Sequence, residues 1–186
     1  MAAPFVDALS AARVANQGGA CTTAAVLTAL GALGAGELPD LERATILLGA
    51  SRPFGAPGLL DYVSWPGRRA PLDLRIEALA EAHRLRVRAW SGITVPGARL
   101  SPPREGALIV HLAWGQEAPG RYGTWGWHPL RPATYSTGGH SVVLAETGPE
   151  GWVVLDPNYA EPQTWPRPGL ATARTVILAT PASRPG

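Results

Sequence analysis

The chain has 186 residues, 46% apolar and 16% charged, which is the length of one domain and the composition of a globular protein rather than a disordered tail. Its net charge of +2 comes from 16 basic residues, all arginine, which gives no nucleic-acid reading, and its single cysteine excludes an internal disulfide framework and a Cys-based zinc cluster. The N-terminal residues lack a basic run and a long apolar core, and no later window reaches the length of a membrane span, so a soluble cytoplasmic protein without a membrane segment is expected.

Asn16 to Leu33, NQGGACTTAAVLTALGAL, predicts a Gly-Gly-Ala turn that places Cys21 on the first turn of an Ala/Leu-rich helix. Free backbone N–H groups and the positive end of the helix dipole favour an anion there, so the thiol should lose its proton more easily than in solution. The competing expectation is a small buried hydrophobe that happens to be cysteine. GALGAG (31–36) ends the helix, and Pro39-Asp40 opens a second one with an apolar stripe of Leu41, Ala44, Leu47 and Leu48. Residues 51–71 are broken by prolines and glycines and read as a surface excursion, with a short helical turn between Leu59 and Trp65. Asp73 is expected to cap a third helix whose face carries Leu72, Ile76, Leu79 and His83.

From Arg84 the period becomes alternating. RLRVRAW puts Leu85, Val87 and Ala89 on one side and arginines 84, 86 and 88 on the other, a half-buried strand near a sheet edge. ALIVHLAW (107–114) is nearly continuous apolar and suits a central strand. A Gly/Trp/Pro-rich segment follows, long enough to be a functional loop, and then GHSVVLAET and GWVVLDPN form two strands joined through Gly148-Pro149-Glu150. RTVILAT (174–180) supplies a last strand. Helices early and antiparallel strands late make an α+β fold in one domain spanning 1–186.

The hairpin permits a geometric expectation. With a loop of three or five residues, His140 lies opposite Asn158, and Asp156 sits on the same face one diagonal step away. A two- or four-residue loop puts His140 and Asp156 on opposite faces unless a bulge intervenes. Pro157 should end the ladder.

A nucleophilic thiol needs a base within hydrogen-bond reach and a third polar group that orients the base; Cys21, His140 and either Asp156 or Asn158 supply those parts. QGGACTTAAVLTAL, GGHSVVLAE and WVVLDPN, in that order, resemble the C39-like branch of papain-like cysteine peptidases, which includes bacterial enzymes that trim leader peptides after Gly-Gly. The resemblance implies a papain-like α+β fold, with an N-terminal helical part packed on a C-terminal antiparallel sheet. It implies peptide-bond hydrolysis through an acyl-enzyme, with Cys21 as nucleophile, His140 as base and acid, Asp156 as the orienting residue, and Gln17, or Asn16 in its place, in the oxyanion hole. The family's usual Asp-Cys-Gly reads Ala20-Cys21-Thr22 here, and Gln17 is closer to the cysteine than the family's glutamine generally is. A peptide or protein substrate, no cofactor and no metal are expected. An acyltransferase or transglutaminase-like enzyme using the same triad, and a non-catalytic peptide-binding module of this fold, are the alternatives.

Other candidates carry plainer readings. His83 ends an apolar helix face, His111 lies inside a buried strand and His128 in the Trp-rich loop, without metal-ligand spacing among them. Asp156 and Asn158 also suit a turn. Trp114, Trp125 and Trp127 either line a substrate groove or cover the sheet, and the arginines 84, 86 and 88 are expected to be a solvated strand face.

Overall fold

A computed structural model describes residues 3–17, 19–49, 59–96, 99–115, 136–165 and 170–180. The expected tryptophans 125 and 127, His128 and most of the loop that carries them lie outside the described residues. Among the described residues four α-helices, α1 (Ala3–Ala11), α2 (Cys21–Ala32), α3 (Leu41–Leu47) and α4 (Pro71–Ala82), precede six strands, β1 (Val87–Pro96), β2 (Gly106–Gly115), β3 (Ser136–Gly148), β4 (Gly151–Leu155), β5 (Gln163–Trp165) and β6 (Leu170–Ala179). The strands form one sheet in the order β1-β6-β2-β3-β4-β5, every pair antiparallel. The α+β expectation therefore holds at the level of helices packed on an antiparallel sheet. No helix among the described residues is long and apolar enough to cross a membrane.

Alternation along the strands separates two cores. Ala107, Ile109, Val143, Leu155 and Ile177 pack with α1, α2 and α4, whereas Leu108, Val110, Val142, Leu144, Val154 and Trp152 pack with Leu100 and Trp165 in a second cluster. The near-continuous apolar run of β2 is explained by this: as a central strand it buries side chains in both clusters. Helix α2 is buried along its whole working length, Cys21 to Leu30, which accounts for its lack of a polar face. Its three threonines are satisfied sideways: Thr28 accepts from the Val14 N–H at 3.0 Å, Thr23 accepts from Thr45 at 3.1 Å, and Thr22 shares a hydrogen bond with Ser141 at 2.8 Å.

Several local expectations are corrected. Leu47 is 45% exposed, so the core-facing side of α3 is the buried Ala44 with the partly buried Leu41 and the buried C-cap Leu48. Asp73 is not the cap of α4: Pro71 occupies the first helical turn after Ala70, where its missing N–H costs nothing, so the helix begins before Asp73 is reached. The Asp73 side chain is instead buried against β1, accepting from Ser91 Oγ at 2.6 Å and from the Ser91 N–H at 3.1 Å. Glu77 and Arg69 finish that cover, Glu77 accepting the Ala89 N–H and Arg69 donating to the Ala89 carbonyl, each at 2.9 Å. The predicted edge strand is an edge strand, and side chains from the α4 region occupy backbone groups that would otherwise invite another strand. Helix α1, anchored by the fully buried Leu9, and the short strand β5 have no counterpart in the sequence reading.

Candidate active site

The β3–β4 hairpin decides the site. Its turn is two residues, Pro149-Glu150, with Gly148 paired to Gly151, not the three or five that the same-face geometry required. The ladder runs Glu146↔Val153 and then Leu144↔Val154, so Ala145 is an extra residue on β3. Without that bulge Asp156 would share a face with Val143, inside the helix-side core; with it, Asp156 falls on the His140 face. The paired register ends at Val143↔Leu155, just before Asp156-Pro157, as a proline at the strand end demands.

His140 Nε2 lies 2.8 Å from Asp156 Oδ1, and the two residues are 3% and 1% exposed. Oδ1 also accepts the Asn158 backbone N–H at 2.8 Å, which holds the carboxylate in place. With Nε2 given to Asp156, Nδ1 is the nitrogen left for the thiol of Cys21, which hydrogen-bonds His140. Burial pushes the Cys21 thiol up, but the hydrogen bond and charge of His140 and the backbone N–H groups of Ser141 and Thr22 outweigh it and bring the thiol below its ordinary value. Burial pushes His140 down, and the hydrogen bonds and charges of Asp156 and Cys21 reverse that and raise it to about 9. Both shifts favour a thiolate beside an imidazolium at neutral pH.

Cys21 is the first residue of α2, and the N-cap, Ala20, has no side chain able to cap. An uncapped terminus forgoes about 1 kcal/mol, and it leaves N–H groups directed at whatever anion forms beside Cys21. The preceding segment is shaped by Gly19 at φ 86° and by the Ala20 N–H donating to the Gln17 carbonyl at 3.2 Å. It is also tied to the turn after β4: the Asn16 N–H donates to the Pro157 carbonyl at 2.9 Å, and Asn16 Nδ2 donates to Asn158 Oδ1 at 2.8 Å. The helix that carries the thiol and the strand end that carries the carboxylate are thereby locked to each other. No family model, no curated protein and no solved structure matches this chain.

Of the residues singled out in the sequence, the structure brings Cys21, His140 and Asp156 into one hydrogen-bonded line. Asn158 does not reach the imidazole with its side chain, which is turned to Asn16. Gln17 is exposed and its side chain makes no hydrogen bond among the described residues, while the Asn16 amide is engaged by Asn158. His83 closes the end of α4 with Nδ1 against the Glu37 carbonyl, and Arg88 approaches Glu77 at 3.7 Å from an otherwise solvated face. Among the described residues no group of three His, Cys, Asp or Glu side chains could hold a metal ion.

The sequence reading missed what lies beneath the line. Thr22 and Ser141, the residues next to Cys21 and His140, share the 2.8 Å hydrogen bond, and Ser141 Oγ is 2.7 Å from Nδ1 of the buried His111. Burial pushes His111 down to about 3, so its ring is neutral. Tyr62, pushed up by burial, hydrogen-bonds Thr22 and has its hydroxyl 3.4 Å from His111 Nδ1. A histidine in the middle of an apolar strand, with a serine following another histidine on the next strand, was the only available signal.

Proposed function

We propose that the protein is a cysteine peptidase, cleaving peptide bonds through an acyl-enzyme on Cys21. The observation that carries this reading is the line Cys21–His140–Asp156 at the uncapped start of α2. The thiolate attacks the substrate carbonyl, and the charge that develops on oxygen meets the Cys21 N–H at the helix terminus. Gln17, four residues before the thiol, supplies the second donor, because its exposed side chain is engaged by no other group among the described residues, whereas Asn16 is held by Asn158. His140, held as imidazolium by Asp156, protonates the leaving amine, and then takes a proton from the water that releases the acyl group.

The test has two stages. A pH series of iodoacetamide alkylation, read by intact mass, should show Cys21 reacting well below the pH at which free cysteine does. A midpoint at or above that of free cysteine, or no labelling before unfolding, overturns the nucleophile assignment. Wild type and Cys21→Ala are then incubated with a peptide mixture, with and without an added amine. Cys21-dependent new N-termini support hydrolysis; amine-capped products in their place would reassign the same site to acyl transfer.

A further inference from the structure

A continuous path of hydrogen bonds runs between the sheet and the helices, from the thiol site to the β1 edge. His111 Nε2 is 3.1 Å from Thr175 Oγ1, Thr175 Oγ1 is 2.9 Å from Ser91 Oγ, and Ser91 Oγ is 2.6 Å from Asp73 Oδ1. On the other side of the ring, Nδ1 meets Ser141 Oγ, Ser141 meets Thr22, and Thr22 meets Tyr62. His111, Ser141, Thr22, Thr175 and Asp73 are all buried, so water does not complete their hydrogen bonds.

Each hydroxyl has one proton to give, and the Asp73 carboxylate has none. Ser91 therefore donates to Asp73, and must accept from Thr175. Thr175, its proton spent on Ser91, must accept from His111, which requires the proton on Nε2. Nδ1 is then a bare lone pair, so Ser141 donates to it, Thr22 donates to Ser141, and Tyr62 to Thr22. The direction of every proton follows from the single acceptor at the far end.

We infer that Asp73 fixes the Nε2–H tautomer of His111, and that this buried relay is a positioning device for the thiol site. The two residues it holds at the near end, Thr22 and Ser141, are the ones whose backbone N–H groups reach the Cys21 sulfur. Their hydroxyls are hydrogen-bonded to each other, and that of Ser141 to His111, which keeps α2 and β3 at the separation the Ser141 amide needs to reach the sulfur. His111 and Asp73 touch no reacting atom in this scheme; they act through Thr22 and Ser141. The consequence for reactivity rests on the proposed role of Cys21, but the tautomer does not.

The tautomer is read directly by long-range proton–nitrogen correlation of the imidazole rings in 15N-labelled protein, with His111→Gln used to assign the signals. Wild-type His111 should be neutral with its proton on Nε2; a charged ring or an Nδ1–H ring overturns the inference whatever Cys21 does. In Asp73→Asn the amide carbonyl takes the Ser91 N–H and the amide N–H₂ faces Ser91 Oγ, so the whole relay reverses and His111 should move to Nδ1–H. If that variant fails to fold, Ser91→Ala cuts the path with Asp73 in place, and His111 should then show both tautomers. A ring that stays wholly Nε2–H in whichever of these folds overturns the control by Asp73. In the same folded variant the Cys21 alkylation rate at pH 7 should fall by about two- to tenfold, the range of one misplaced hydrogen bond. An unchanged rate with a changed tautomer would make the relay purely structural and overturn its positioning role.

Discussion

Replacing Asp156 with alanine, beside the same change at Asn158, discriminates between the two polar residues that follow β4. Asp156 is 1% exposed and its Oδ1 sits 2.8 Å from Nε2 of the equally buried His140. Without the carboxylate, burial is still pushing the imidazole towards neutrality, and only Cys21 opposes it. A hydrogen bond to a charged group contributes about 1.5–3 kcal/mol, which corresponds to about a 10- to 150-fold loss of the imidazolium that supports the thiolate. Asn158→Ala leaves that bond intact and removes only the acceptor of Asn16 Nδ2, an exposed contact worth about 0.5–1.5 kcal/mol. Its effect should fall on stability, at roughly 2–4 °C of melting temperature per kcal/mol for a chain of this size, more than on the thiol. The assay is the second-order rate of iodoacetamide alkylation at pH 7 for each variant against wild type, with far-UV circular dichroism melts to establish folding. If Asn158→Ala lost the larger factor while Asp156→Ala stayed folded and reacted nearly as fast as wild type, the orienting role assigned to Asp156 would be refuted.

The pH dependence follows from opposite shifts on the two partners. His140 is raised to about 9, so its contribution to stability is complete below its usual 6.5 and is lost as pH climbs through about 9; Cys21 is lowered, so its contribution is complete above the usual 9.0 and is lost as pH falls through its folded value. Between 6.5 and 9.0 the pair binds one proton folded or unfolded, and denaturant midpoints should be level there; a steep slope across that window would contradict the ion pair. Turnover should decline above about pH 9 as His140 loses the proton it must donate, while alkylation of the thiolate should not. Gly106→Ala should destabilise by about 1–3 kcal/mol, because an added Cβ meets the Ile177 carbonyl and the Leu178 side chain across the β2–β6 pair; an unchanged urea midpoint would show that the pairing gives way there. Chelation should leave both the melt and the alkylation rate unchanged, and loss of either, with metal found by elemental analysis, would count against a mechanism carried by side chains alone.

The sequence by itself determined the elements whose physics is local. The helix start at Cys21 followed from a Gly-Gly turn before an Ala/Leu run, the start of α3 from Pro39-Asp40, and the edge and central positions of β1 and β2 from alternating against continuous apolar residues. It also singled out Cys21, His140 and either Asp156 or Asn158 as a thiol, a base and an orienting group, with Asp156 preferred on the family resemblance. Tertiary structure decided how they meet. The hairpin turn is shorter than same-face geometry allows, and the bulge at Ala145 that restores the face depends on how β4 is seated between β3 and β5, which no local pattern encodes. Asp73 looked like a cap because capping chemistry is local, yet it serves a strand that begins fourteen residues later and packs alongside α4. His111 and Thr175 read as ordinary strand residues for the same reason, and Ser91 lay just past the strand read from RLRVRAW. Strand order β1-β6-β2-β3 puts their side chains next to one another, and adjacency between strands so far apart in the chain is a property of the folded sheet.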